Sequence, residues 1–172
     1  MSDEFEIRQA QPCDAAILAA LAEQTFRETF AASNSIEGMD EHCERSFSES
    51  IQLAELLTAR ARTLIAWQHA QPMGFVQLRF IEPPPCVTDK SSVELQRFYV
   101  LRSWHGTGVA GELMRAAFEA AASAPAIWLG VWPANLRAVA FYQKFGFRHV
   151  GEKIFHMPND PQSDWVLARA LP

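Results

Sequence analysis

The sequence predicts an α/β fold in which a mixed, mostly antiparallel central sheet of about seven strands is flanked by helices. Segments with strand or helix periodicity follow in the order strand, helices, three strands, helix, strand, helix, two strands. A strand–turn–helix–strand unit in the middle predicts one parallel crossover among antiparallel hairpins. The 172 residues, 49% of them hydrophobic, suffice for a substantial core, and we expect a single domain spanning residues 1–172.

The N-terminal third predicts one short strand and three helices. The strand covers residues 5–8, and a long helix follows Pro12. The helical pattern breaks between residues 34 and 38, and two shorter helices follow, the second beginning near Ser48. Apolar residues at helical spacing are expected to face the core: Leu18, Leu21, Ala22, Phe26, Phe30, Ile51, Leu56 and Leu57.

The middle of the chain predicts a hairpin followed by a loop. Its strands cover residues 62–67 and 74–81, joined by a tight turn at Gln71-Pro72. Three consecutive prolines, residues 83–85, predict an extended loop, because neither a helix interior nor a central strand accepts them.

The C-terminal part predicts three strands and one helix. Residues 126–131 form a short apolar run that is typical of a buried strand. A helix is predicted to begin at Pro133 and to end at Gly146, before strands at residues 147–156 and 165–170. The apolar stripe of this helix would be Leu136, Val139, Ala140 and Tyr142.

Residues 93–118 combine a strand, a glycine-rich turn and a helix. Alternation along the strand places Glu94, Gln96, Phe98 and Val100 on one side and Leu95, Arg97, Tyr99 and Leu101 on the other. Gly106, Gly108 and Gly111 follow within six residues. Such a turn can bind phosphates, because glycines remove side chains from the approach and the first amides of a helix are unpaired donors. The spacing fits neither a P-loop nor the dinucleotide-binding fingerprint.

Two motifs resemble the GNAT N-acetyltransferase superfamily. Residues 105–110, H-G-T-G-V-A, are similar to the family's acyl-CoA loop, with histidine where Gln or Arg is usual. Residues 135–147 reproduce the pattern N-x-x-A-x-x-F-Y-x-K-x-G-F. The likeness covers roughly residues 93–150. It implies a GNAT fold and acetyl transfer from acetyl-CoA to an amine in a ternary complex, without a metal or a covalent enzyme intermediate.

By this resemblance acetyl-CoA is the co-substrate, and the amides of the loop hold its pyrophosphate. The backbone of Phe98 and Val100 would pair with the pantetheine amides, as a strand edge pairs with a peptide. His105 can still donate a hydrogen bond to a phosphate. Asn135 can cap its helix, contact the pantetheine arm or substrate, or do both. The candidate cofactor-binding residues are Phe98, Val100, His105, Gly106, Thr107, Gly108, Val109, Ala110, Gly111 and Asn135.

Two side chains are candidates for the catalytic proton transfers. The reaction needs a neutral amine, a stabilised oxyanion and a proton for the departing thiolate. Glu94 lies at the offset of the strand glutamate that serves as base in some GNAT enzymes, acting directly or through water. The alternative is a solvated carboxylate, or one bound to Arg97 or Lys90. Tyr142 is by resemblance the acid that protonates the CoA sulfur, and its alternative is core packing.

Longer strings are similar to PaiA-type spermine/spermidine acetyltransferases. They read IWLGVWPANLRAVAFYQKFGF, FHMPNDPQSDWVLARAL and TFRETFAASNS. This likeness implies a polyamine acceptor. Other possible acceptors are another small amine, a peptide N-terminus or a lysine. An alternative to an enzyme is a non-catalytic module that senses acetyl-CoA. Phe26, Glu28, Phe30 and Asn34 would cap the acceptor groove, and Glu28 or Glu23 could attract an ammonium group.

Composition and charge narrow the remaining classes of function. The net charge of −5 argues against a nucleic-acid partner and permits a cationic substrate. The chain has neither a long apolar run nor a basic segment followed by an apolar one, so we expect no membrane span and no signal peptide. The three cysteines, and the four histidines other than His105, lack metal-ligand spacing, which predicts free thiols, no metal and a cytoplasmic location. A homodimer is compatible with the sequence.

Overall fold

The computed structural model describes residues 5–157 and 160–172, without the side chains of residues 155–157, 160 and 161. The strands are β1 (Glu6–Gln9), β2 (Ala61–Gln68), β3 (Gln71–Arg79), β4 (Val93–Val100), β5 (Ala126–Val131), β6 (Arg148–Met157) and β7 (Asp160–Ala170). The α-helices are α1 (Ala15–Phe30), α2 (Ile36–Phe47), α3 (Glu49–Leu57), α4 (Val109–Ala120) and α5 (Leu136–Lys144).

The strands form one seven-stranded sheet in the order β1-β2-β3-β4-β5-β7-β6. Neighbouring strands are antiparallel except β4 and β5, which α4 joins in parallel. The predicted fold class is therefore confirmed, while one domain over the full length stays a prediction. Within the described residues, no helix is long and apolar enough to cross a membrane.

Helices cover both faces of the sheet. Successive residues of β2 point to opposite faces, and they belong to different core clusters. Ile65 packs with residues of α1 and α2, whereas Leu64 packs with residues of α4 and α5. We call these the α1–α2 face and the α4–α5 face.

The helices at the N-terminus differ from prediction at two places. Gly38 lies inside α2, because Ser35 caps this helix and accepts a hydrogen bond from the Gly38 amide at 3.1 Å. Leu57 is 67% exposed rather than buried, and the buried residue of α3 is Gln52. The five-residue separation of Gln52 and Leu57 turns Leu57 to the outer side of the helix.

The hairpin of β2 and β3 turns at His69 and Ala70, so the predicted turn at Gln71-Pro72 is wrong. Pro72 lies within β3, opposite Trp67. The register shifts between Ala66 and Trp67, and an irregularity of this kind tolerates a residue that cannot donate to the ladder. The three prolines lie in the predicted loop between β3 and β4.

The start of α5 also differs from prediction. The helix begins at Leu136 rather than Pro133, and the Asn135 side chain caps it by accepting a hydrogen bond from the Ala138 amide at 3.2 Å. Leu136 and Ala140 are exposed, while Val139 and Tyr142 are buried. Leu136 and Ala140, four residues apart, share the exposed face of the helix, and Val139 and Tyr142, three residues apart, share the buried one. The last strand begins at Asp160 rather than Trp165, since a polar sequence enters the sheet.

A β-bulge in β4 reverses the predicted alternation of its side chains. Gln77 and Leu78 of β3 pair with Arg97 and Leu95, so Gln96 is the extra residue. Beyond the bulge, Phe98 and Val100 join Leu95 on the α4–α5 face. Tyr99 and Leu101 lie on the α1–α2 face, which Glu94 also faces because it alternates with Leu95. The prediction that Glu94 and Phe98 share one side is therefore wrong.

Candidate active site

A cleft of about 830 Å³ opens where β4 and β5 diverge. The two strands pair at Val93–Ile127 and Glu94–Trp128 and separate beyond these pairs. Residues from both faces of the sheet line the cleft, including Phe26 from α1, Phe98 and Tyr99 from β4, and Tyr142 from α5. The volume suits a small-molecule site.

At one end of the cleft, β4 presents backbone groups that its neighbour strand does not use. The Leu101 amide donates to the Met73 carbonyl at 2.9 Å, on the β3 side. Backbone groups of successive strand residues alternate in direction, so those of Phe98 and Val100 point to the open side. The Nε2 atom of His105 lies 2.9 Å from the Val100 carbonyl oxygen. Phe98, Val100 and His105 all line the cleft.

The glycine-rich loop has the geometry of an anion cradle. Gly106 and Gly108 have φ angles of 81° and 94°, in the left-handed region that favours glycine. A Cβ atom at either position would meet nothing within 4 Å, so the space above the loop is open. Gly108 is the N-cap of α4 and offers no capping side chain to the first helix amides. These features fit a bound pyrophosphate.

The structure separates the predicted loop residues into two groups. The lining residues are His105, Gly106, Ala110 and Asn135. The residues that lie in the loop or the first turn of α4 without lining the cleft are Thr107, Gly108, Val109 and Gly111. The part of both groups in cofactor binding stays a prediction.

Arg137 brings a cation to the loop that the sequence prediction did not include. Its Nη1 atom lies 2.7 Å from Nδ1 of His105, and its Nη2 atom lies 3.0 Å from Nε2. Arg137 is exposed and lines the cleft. A guanidinium therefore lies beside the position where the family pattern usually has Gln or Arg. The residue occupies a variable position of the second motif, so the motif gave no signal for it.

Tyr142 lies in an aromatic cluster on the α4–α5 face. Its ring centroid is 6.3 Å from that of Phe98, 5.7 Å from Phe141 and 5.7 Å from Phe147. Burial raises the pKa of its phenol above the ordinary value, so the group stays protonated at neutral pH. Tyr142 thus packs in this cluster and brings a protonated phenol to the cleft, and its role as the catalytic acid stays a prediction. The chain's other tyrosine, Tyr99, lines the cleft from the α1–α2 face.

Glu94 is 2% exposed and lies at the point where β4 and β5 separate. Its Oε2 atom accepts a hydrogen bond from Nε of Arg79 at 2.7 Å, and its Oε1 atom lies 3.4 Å from Nζ of Lys153. The alternative prediction, that Glu94 binds Arg97 or Lys90, is wrong because both cations have other partners. Arg97 binds Glu55 at 2.6 Å, and Lys90 donates to the Val87 carbonyl at 3.0 Å.

The first helices supply another wall of the cleft. Phe26, Glu28, Phe30 and Asn34 line it, and that they cap an acceptor groove stays a prediction. Glu28 accepts a hydrogen bond from the Arg102 amide at 2.8 Å, whereas Glu23 binds Arg27 at 2.9 Å and is not a lining residue. His42 stacks on Phe26, and burial lowers its pKa to about 4, so it is neutral at pH 7.

The charge of the cleft opposes that of the chain as a whole. Among the described lining residues, the carboxylates are those of Glu28, Glu94 and Asp164. The lining cations are more numerous, and they are Arg79, Arg97, Arg102, Arg137 and Lys153. Since the chain carries a formal net charge of −5, the cleft is a locally cationic region. Such a region attracts phosphate groups.

Arg79, Lys153 and Asp164 are site residues that sequence reasoning missed. They come from β3, β6 and β7, so no local motif contains them. Arg79 and Lys153 contact Glu94, and Asp164 lies opposite Lys153 in the β6–β7 ladder. The sequence does carry one signal for these residues, which is Gly130 in the buried strand β5. An isolated glycine in a strand often marks a place where another group comes close to the backbone. A Cβ at Gly130 would lie 2.5 Å from Cε of Lys153. Among the described residues, no three His, Cys, Asp or Glu side chains could hold a metal ion.

Comparisons with known proteins agree with this geometry. The sequence profile of the Acetyltransferase (GNAT) family matches residues 19–147. An uncharacterised N-acetyltransferase of Mycobacterium bovis is 33% identical over 161 residues, which cover 92% of this chain and 98% of the relative. Another, of Lactobacillus delbrueckii subsp. lactis, is 28% identical over 154 residues, covering 88% of this chain and 89% of the relative.

Solved structures share the fold at lower identity. The PaiA N-acetyltransferase of Thermoplasma acidophilum, crystallised with coenzyme A, superposes with a TM-score of 0.76 at 20% identity. The superposition covers 97% of this chain and 99% of that one. The protein belongs to the GNAT acetyltransferase family, and the expected class of enzyme, an acyl-CoA-dependent N-acetyltransferase, is confirmed.

Proposed function

We propose that this protein transfers the acetyl group of acetyl-CoA to a primary amine by direct attack in a ternary complex. The observation that carries the proposal is the cleft at the divergence of β4 and β5, which residues from both faces line. The glycine-rich loop and Tyr142 belong to the α4–α5 side, and Glu94 belongs to the α1–α2 side. Donor and acceptor can therefore meet in the cleft from opposite faces of the sheet.

The donor side has the groups that thioester cleavage requires. The open loop and Arg137 can bind the phosphates. The backbone groups of Phe98 and the Val100 amide, which β3 does not use, can bind the pantetheine arm, while His105 already contacts the Val100 carbonyl. Tyr142 is proposed to protonate the departing sulfur, which a neutral phenol can do at pH 7.

The sequence resemblance makes Glu94 one of two carboxylates proposed for removal of the amine proton, and Asp164 is the other. The two oxygens of Glu94 already contact Arg79 and Lys153. An acceptor ammonium group can approach Glu94 by displacing Lys153, whose contact at 3.4 Å is the longer of the two. Proton removal by Glu94 therefore requires a rearrangement of the Lys153 side chain.

A polyamine is the proposed acceptor, again on sequence resemblance. In its support, the Lys153 ammonium lies next to the Glu94 carboxylate and 5.0 Å from the centroid of the Trp128 ring, so an ammonium group is accommodated here. The excess of lining cations favours a second candidate, an amine that also carries a carboxylate. Arg79 is 38% exposed and could bind such a group.

The test is a thiol-release assay with acetyl-CoA and a panel of amines. The panel contains spermidine, a long-chain monoamine of equal length, an amino acid with a free side-chain amine and a short peptide. A polyamine enzyme should prefer spermidine to the monoamine, and added salt should weaken this preference. Preference for the amino acid would support the second candidate. Thiol release that no amine stimulates would contradict the proposed function.

A further inference from the structure

A row of alternating charges crosses the α1–α2 face of the sheet. Arg79, Glu94, Lys153 and Asp164 come from β3, β4, β6 and β7. Lys153 and Asp164 are opposite each other in the β6–β7 ladder. The Lys153 side chain crosses β5 at Gly130, where the missing Cβ leaves space for its Cε and Nζ atoms. The row ends inside the cleft at Asp164.

The two carboxylates of this row differ in their hydrogen bonds. Glu94 is bound to a cation through each of its oxygens. Asp164 is only 7% exposed, yet its Oδ1 atom has no hydrogen-bond partner among the described residues. A buried polar atom without a partner is costly and calls for an explanation. A ligand that donates a hydrogen bond would satisfy it.

The surroundings of Asp164 suit proton transfer near neutral pH. Burial raises the pKa of Asp164 to about 6, and the positive charge of Lys153 opposes this rise. Glu94 of β4 and Arg79 of β3 follow beyond Lys153, and Gly130 of β5 adds no charge. Tyr99 of β4 also interacts electrostatically with Asp164, and its phenol is neutral because burial raises its pKa. Within β7, Gln162 and Val166 flank Asp164 on the same face and carry no charge. A base with a pKa near the working pH is the most effective one.

We infer that Asp164 accepts the proton of the acceptor ammonium group, and that Glu94 holds Arg79 and Lys153 in position. This inference rests on the proposed acetyl transfer and assigns the proton-accepting role to a residue other than Glu94. The ammonium N–H bond breaks and its proton passes to Oδ1 of Asp164. The freed nitrogen then attacks the thioester carbon, so that a C–N bond forms and the C–S bond breaks.

The protons balance over the whole reaction. The amine nitrogen loses two protons in becoming an amide. One of them replaces the proton that Tyr142 gives to the CoA sulfur. The other leaves through Asp164 to water, so each turnover releases one proton.

The experiment compares Asp164→Asn with Glu94→Gln. The pH dependence of kcat/KM is measured with acetyl-CoA and the amine that the panel ranks first. The wild-type profile should fall on the acid side with an apparent pKa near 6. Asp164→Asn should lower the rate by about a hundredfold or more and abolish this acid limb. Glu94→Gln should keep the limb, because the base remains.

Controls separate this inference from the function itself. Asp89→Asn changes an exposed aspartate of the β3–β4 loop and should leave the profile unchanged. The melting shift that CoA produces should persist in Asp164→Asn, which shows that the variant is folded. Loss of the limb in Glu94→Gln and its retention in Asp164→Asn would overturn the inference and leave the proposed function intact. A wild-type protein without turnover would instead refute the function.

Discussion

Replacing Gly108 by alanine tests whether the loop holds the CoA phosphates. The wild type should be stabilised by about 2.7 kcal/mol when CoA is present at a hundred times its Kd. Unfolding entropy is about 2.1 cal/mol/K per residue. For 172 residues, CoA should therefore raise Tm by about 7 °C.

Gly146→Ala is the matched control for backbone strain. Gly108 and Gly146 have φ angles of 94° and 85°, so alanine should cost about 1–2 kcal/mol at either position. A Cβ at Gly146 would make an ordinary contact with Nε of Arg169 at 3.6 Å, and one at Gly108 would meet nothing within 4 Å. Both variants should melt a few degrees lower without CoA.

The two variants should differ in their response to CoA, measured by thermal unfolding at one ligand concentration. Gly146→Ala should keep the shift of about 7 °C. In Gly108→Ala the added methyl group would project into open space beside the loop that is proposed to hold the phosphates. A hundredfold loss of affinity would reduce the shift to about 1 °C. Equal shifts in the two variants would refute the assignment of the loop.

Three further changes address the catalytic groups. Tyr142→Phe should slow thiol release by about a hundred- to ten-thousandfold, while the increase in Tm that CoA produces stays unchanged. A normal rate would show that Tyr142 serves only in packing. Lys153→Met removes the charge that lowers the pKa of Asp164, so the fall of kcat/KM at acid pH should shift to higher pH. A pH profile with its acid side unchanged would contradict this coupling. Asp164→Asn should also remove a pH-dependent loss of stability. Burial raises the Asp164 pKa from 3.8 to about 6, so the native state binds this proton more tightly than the unfolded chain does. As the pH rises from about 4 to above 6, the free energy of unfolding of the wild type should therefore fall by up to about 3 kcal/mol relative to that of the variant. Denaturant unfolding across this range measures the difference, and parallel pH curves for the two proteins would contradict it.

The donor side of the site could be predicted because its residues are local in sequence. The glycine-rich loop directly follows β4 and opens α4, and Tyr142 and Asn135 belong to one short helix and its cap. Local hydrogen bonds and glycine's freedom at positive φ determine these features, so a motif carries them. For the same reason the bounds of β5 agree with prediction.

The charged groups around Glu94 could not be predicted because their meeting depends on strand pairing. Lys153 reaches Glu94 across two other strands, and these residues are far apart in the chain. Their meeting depends on the register of β5, β6 and β7, which no short string specifies. The bulge at Gln96 has the same origin, since alternation read along a single strand assumes an uninterrupted ladder.

The extra residue in β4 puts Glu94 on the face opposite Phe98 and Val100, so the two groups can change separately. Phe98 and Val100 belong to the side of α4 and α5, whereas Glu94 and Tyr99 belong to the side of α1 and α2. A mutation that reshapes the second side can leave the first unchanged. Descendants of one ancestral gene could then exchange the molecule they modify while keeping the same donor. Diversification of this kind needs no change of fold, since function resides in sites carried by a common scaffold.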